Sequence, residues 1–257
     1  EDHNLRTNTA STVKYDNPPI IEAIFEVYFP VSNKWDAHKE KLYKSLRSLK
    51  FDFDKDETIN LQRLSVNIQG GKPVSTQQSV PVPRVRCWNK DRSLMFQYGQ
   101  DMLAVNVLPV YESIEIYLPL LKDVCDIVLS TLSVKSINNL GQRFINEIKA
   151  TTAMTPEKIF AIYPRLPDQV RSKHPSFALQ VETTRDTSKS VALNLEYRGD
   201  QAENHKYLLD IYLRSLMFSS AKTDDIIAWM VNEHSCVVDT FEAALTKEGQ
   251  KFCGKRD

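Results

Sequence analysis

Glu22 and Glu26 stand on one face of the stretch Asn17–Pro30, which alternates like a strand. Carboxylates at that spacing lie roughly 13 Å apart along the strand. That is too far for the paired acid and base of a glycosidase. Further along, Arg143 and Glu147 share one face of a second strand pattern, with Asn146 on the other face beside Phe144 and Ile148. If the two strands are neighbours, Glu26 is placed to pair with Arg143. Two readings of that pairing stay open: a polar pocket, or a salt-bridge network that fixes sheet register. Asn146 among apolar neighbours is read as satisfying a backbone group at a sheet edge or bulge.

His234 sits on an apolar stripe at helical spacing, with Glu233 and Asp239 near it in the chain. An imidazole titrates near neutrality and suits general-base work. A buried, hydrogen-bonded histidine gives the same pattern, and no nucleophile can be tied to it. His38, His174 and His205 are scattered without ligand spacing. Arg84, Arg86, Lys90 and Arg92, interleaved with Trp88 and followed by Phe96 and Tyr98, form the most basic and aromatic stretch. Stacking rings with arginines on adjacent strands suit single-stranded nucleic acid. A solvated hairpin with one apolar face looks the same. Arg165, Arg171, Lys173 and His174 make a second basic loop.

Several chemistries are disfavoured outright. The chain has 33 Lys and Arg against 33 Asp and Glu, so no net field draws it to nucleic acid or anionic lipid. Its 7 glycines form neither a dinucleotide-binding nor a P-loop pattern. There is no nucleophile elbow and no HExxH. Cys87, Cys125, Cys236 and Cys253 form no CxxC or CxxxC pair, so a zinc site is not expected. They are read as reduced thiols, which places the protein in the cytoplasm. Neither metal nor nucleotide cofactor is expected. No apolar run reaches the ~20 residues of a membrane helix.

The elements that must position these side chains follow from periodicity. Residues 1–16 read as a disordered lead-in. Pro18, Pro19 and Pro30 bound the first strand, since proline donates no ladder hydrogen bond. A helix follows over 32–50, with Ser32 as N-cap and Trp35, Leu42, Leu46 and Leu49 as its stripe. Strands are predicted over 58–69 (with one bulge), 84–88, 93–98 and 102–108, with a polar loop over 75–83. A long helix over 111–132 contains Pro119, which calls for a kink or a late start. The second run begins with a strand over 136–149 and a short helix over 155–163 with Pro156 at its first position. Strands over 176–184, 190–198 and 206–217 come next, then a helix from Thr223 to about Gly249. The order strand, helix, antiparallel strands, long helix is met twice. It predicts an α+β protein of two similar halves, 17–133 and 134–257, each an antiparallel sheet packed with a long helix and sharing one core.

The residues at Asn17–Phe29, Leu140-Gly141 with Arg143–Asn146, Gly99–Tyr111 and His234–Lys247 resemble a family of sporadically distributed bacterial proteins of about this length. Phe144 stands where that family commonly has tyrosine. The similarity runs from about Tyr15 to Gly254 and implies no catalytic residue. Its patchy distribution implies a defence or toxin–antitoxin-like locus. The expectation is therefore a non-enzymatic binding protein acting through a protein partner or as a homodimer. The alternative is a nucleic-acid-binding or nucleic-acid-processing protein using the Arg84–Arg92 hairpin. A hydrolase built on His234 and Glu26 ranks last.

Overall fold

In β1 (Ile20–Tyr28), Ala23, Phe25 and Val27 are buried on one face, while Glu22, Glu26 and Tyr28 point to the other. This strand lies at the middle of a nine-stranded antiparallel sheet. The computed structural model describes residues 15, 18–49, 51–61, 64–69, 72–78, 82–109, 111–151, 153–164, 177–201 and 204–255. Of the lead-in expected over 1–16, Tyr15 is placed, bridging Lys255, while its other residues and the second basic loop with Arg165, Arg171, Lys173 and His174 lie outside the described residues.

The chain continues through α1 (Trp35–Arg47), β2 (Phe53–Leu61), β3 (Leu64–Gln69), β4 (Lys72–Gln78), β5 (Val82–Asn89), β6 (Leu94–Gly99), β7 (Met102–Val107) and α2 (Ile114–Thr131). It then forms β8 (Asn139–Thr151), α3 (Pro156–Ile159), β9 (Ala178–Asp186), β10 (Lys189–Gln201), β11 (Asn204–Ser215), α4 (Thr223–Ala244) and α5 (Lys247–Phe252). The sheet order is β2-β5-β6-β7-β1-β8-β11-β10-β9, and β3 with β4 makes a separate two-stranded sheet.

Two similar halves, each a sheet with its own long helix, are not what the chain builds. β1 pairs with β8 from Ile20 opposite Asn146 to Tyr28 opposite Asn139, so the strands merge into one continuous sheet. The long helices α2 and α4 pack on each other over that sheet. Buried side chains of α1, α2, α3 and α4 join those of β1, β5–β8, β10 and β11 in a single core cluster. Among the described residues, the opposite sheet face carries only a small apolar cluster, Ile24, Met102 and Ala104, beside Tyr28 and Ile145.

Other expectations change locally. The strand expected over 58–69 is two strands, and the polar loop over 75–83 holds most of β4, with Gln69 opposite Lys72. Ser32 does not cap α1. Its hydroxyl accepts from Lys34 N and donates to the Leu132 carbonyl, tying the helix entry to the end of α2. α2 begins at Ile114 and carries Pro119 inside it. The last helix breaks at Leu245, whose extended backbone bridges to Phe160, and Thr246 starts α5. The strand over 190–198, whose pattern suits an edge or an interior place, is interior: β10 is flanked by β11 and β9.

Candidate functional site

The sheet places the nominated residues on two opposite faces. Glu26, Arg143, Arg84, Arg86 and Trp88 belong to the face without helices, where alternation in the strands puts every second side chain. Asn146 and His234 meet on the helical face, and Arg92 occupies the turn between β5 and β6 with φ of 62°.

On the helix-free face the polar groups bind one another. Arg86 Nε donates to Gln97 Oε1 (3.0 Å), Gln97 to Asn106 Oδ1 (3.1 Å), and Asn106 to Glu22 Oε1 (2.7 Å). The chain of donors thus runs from a cation to an anion across four strands, each bond polarising the next. Arg143 does not pair with Glu26. Its guanidinium forks onto Asp210 at 2.9 and 2.7 Å, which raises its pKa through those hydrogen bonds. Glu26 instead accepts from Tyr28 (3.1 Å) and lies against Tyr212. Burial, then Glu26, pushes the Tyr28 phenol up to about 12. Gly141 makes that packing possible, because a Cβ there would sit 2.8 Å from the Tyr212 ring and 3.0 Å from Glu26 Oε2. The recess near Arg143, about 250 Å³, is bordered by residues already in ion pairs: Asp210, and Arg214 with Glu182.

The basic hairpin is neutralised in the same way. Arg84 pairs with Asp101 (3.5 Å), Arg86 with Glu57 (3.7 Å), Lys90 with Asp52 (2.7 Å) and Arg92 with Asp54 (2.9 Å). The Arg92 guanidinium also covers one face of the Trp88 ring at 5.1 Å. Four cations with four acids leave no local excess to release counterions from phosphate.

The helical face holds a cavity of about 640 Å³. Its floor is Phe144, Asn146 and Ile211 of β8 and β11. One wall is α4, with Val231, His234, Val238 and Phe241, and the other is Tyr111 with the start of α2. The β1–β8 register slips between Ile20 and Glu22, opposite Asn146. There the Asn146 amide donates to the carbonyls of Phe144 (3.3 Å) and Leu209 (3.0 Å), the backbone role expected of it. Both donations use Nδ2, so Oδ1 is left as an acceptor. Gln142 is fully buried, and its Nε2 donates to the Met230 carbonyl (2.8 Å). That fixes the amide so that Oε1 faces His234 Nδ1 at 3.4 Å. The imidazole therefore carries its proton on Nδ1, and Nε2 holds a lone pair. Burial lowers the His234 pKa, with Glu115 opposing weakly, so the ring is neutral at pH 7.

Tyr111 lines the same cavity, stacked on Tyr117 at 5.6 Å and edge-on to Phe144 at 5.4 Å. Its hydroxyl is buried and has no hydrogen-bond partner among the described residues. An unsatisfied buried polar group costs roughly 1–3 kcal/mol and calls for an explanation. Burial also raises its pKa. Sequence reasoning nominated His234 and Asn146 separately and missed Tyr111, Gln142 and Glu115. Gln142 was detectable as a polar residue on the apolar face of Leu140, Phe144 and Ile148.

Among the described residues no three His, Cys, Asp or Glu side chains come together as a metal-ligand set. The four cysteines are free, and Cys87, Cys125 and Cys253 are buried. No helix among the described residues is long and apolar enough to cross a membrane. Fold and site together define a sheet-rich α+β protein with a half-open apolar cavity under its helices. Compared with models of known protein families and with curated proteins, the sequence matches none of them.

Proposed function

We propose that this chain is a binding protein and not a catalyst, and that it holds its ligand in the cavity between α4, β8 and the start of α2. The observation that carries this reading is the cavity itself, about 640 Å³, walled mostly by apolar side chains with His234 and Asn146 among them. Ligand sites are typically apolar cavities of roughly 300–1,000 Å³ with a few convergent polar groups. Against catalysis stands the partner of His234. It is the neutral Gln142 amide, which does not strengthen the ring as a base the way a carboxylate would. Among the described residues no serine or cysteine hydrogen-bonds the imidazole. Calorimetric titration with n-octanol is expected to show saturable binding. The cavity-filling variants Val231→Trp and Val238→Trp should abolish it while keeping the native circular dichroism. Undiminished binding in both would place the ligand elsewhere and reject the site.

A second reading, self-association or strand addition by a protein partner, is favoured by β9. It ends the sheet, and eight of its nine residues are exposed, Val181 among them. The other end strand, β2, carries Asp54, Asp56 and Glu57, which blunt an edge. β9 has no proline and no lysine. Light scattering is expected to give twice the 29.5 kDa chain mass, and Val181→Lys to return the protein to one chain. A monomeric parent removes self-association.

A further inference from the structure

The cavity's polar groups differ in sign from what a neutral or anionic ligand would need. Among the described residues that line it, none is Lys or Arg, and the charged ones are Glu112, Glu115 and Asp239. Glu112, Glu115 and Asp239 are solvent-exposed, so they form the rim and not the floor. The Glu115 carboxylate is held below its usual range by its own backbone N–H and by the Ser113 hydroxyl, so it is charged at neutral pH. It also occupies the N-terminus of α2, the one place in the wall where an anion would be welcome. Deeper in, the groups left over are acceptors. His234 offers the Nε2 lone pair and Asn146 offers Oδ1, because their N–H groups are spent on Gln142 and on backbone carbonyls.

Resting on the cavity as the binding site, we infer that its ligand is an organic cation: an ammonium group carried on an apolar body. The apolar part fills the space beside Phe144, Val238 and Phe241, and the ammonium hydrogens meet His234 Nε2 and the acidic rim. A carboxylate in the same place would meet three like charges and, among the described lining residues, no Lys or Arg.

The test uses three probes of equal chain length on the full protein: n-octylammonium, n-octanol and octanoate, each titrated by calorimetry below its micellar concentration. Octylammonium is expected to bind at least tenfold more tightly than octanoate, with octanol between them. In the double variant Glu112→Gln, Asp239→Asn that preference should fall severalfold, while octanol affinity stays at the parent value. Both positions are exposed, so the fold is expected to survive. Octanoate binding as tightly as octylammonium overturns the inference and leaves the cavity as an apolar site. Failure of all three probes, octanol included, overturns the cavity reading and the inference with it.

Discussion

Phe25→Ala should lower the free energy of unfolding by about 3–5 kcal/mol, the cost of emptying a fully buried aromatic site. Phe25 is 1% exposed and sits in the central strand, with Val105 opposite it in β7 and Gln142 opposite it in β8. Its ring meets Phe144 edge-on, with centroids 6.0 Å apart, an arrangement worth about 0.5–1.5 kcal/mol beyond area burial. Rigid β-strands flank it on both sides, so the hole has little scope to collapse. Loss of the ring also removes the support of Phe144, which floors the cavity, so n-octanol affinity should fall in the same variant. Urea unfolding followed by circular dichroism decides the matter. A midpoint close to that of the parent would mean that β1 is not the strand joining the two sides of the sheet.

The central position of that strand was half legible in the sequence. Alternation over Ala23, Phe25 and Val27 with prolines at both ends identifies a strand with one apolar face, and β8 reads the same way through Leu140, Phe144 and Ile148. Alternation does not say which strand lies beside which. β1 and β8 look identical whether they open two separate sheets or pair at the middle of one, and they pair. The same blindness applies to β10, whose pattern suits an edge or an interior strand equally. Charge partners were hidden for a related reason. Arg84, Arg86, Lys90 and Arg92 are conspicuous in sequence, but three of the four acids that neutralise them are Asp54 and Glu57 of the neighbouring strand β2 and Asp52 just before it. The cavity was visible only in pieces. His234 and Asn146 break apolar patterns and announce themselves, whereas Tyr111 passes for the first residue of the apolar stripe of the predicted helix, and its place before the helix in the cavity wall shows only in three dimensions.

Gly249 was read from the sequence as the approximate end of a helix, and the structure gives it a stricter duty. It lies inside α5, in the first turn after Thr246, whose hydroxyl accepts from Gly249 N at 2.9 Å. Thr246 N donates to the Ile159 carbonyl at 2.9 Å, and its hydroxyl donates to the Lys158 carbonyl. These bonds draw α5 onto the end of α3 so closely that a Cβ on Gly249 would lie 2.2 Å from Ile159 O and 2.9 Å from its carbonyl carbon. The obstacle is backbone, so no rotamer change relieves it. Two effects of Gly249→Ala then oppose each other. Alanine favours a helix over glycine by about 1 kcal/mol. Overpacking against a fixed neighbour costs about 1–3 kcal/mol, occasionally more. A 2.2 Å contact lies at the severe end of that range, so the second effect should win. α5 is expected to lift from Ile159, breaking the Thr246–Ile159 bond and loosening the neighbouring bond from Ala161 N to the Ala244 carbonyl. Thermal unfolding of Gly249→Ala should therefore fall below the parent, while Lys251→Ala, exposed on the same helix, should change little. If Gly249→Ala instead melts higher, propensity has won, and α5 does not rest on α3 as the close approach requires.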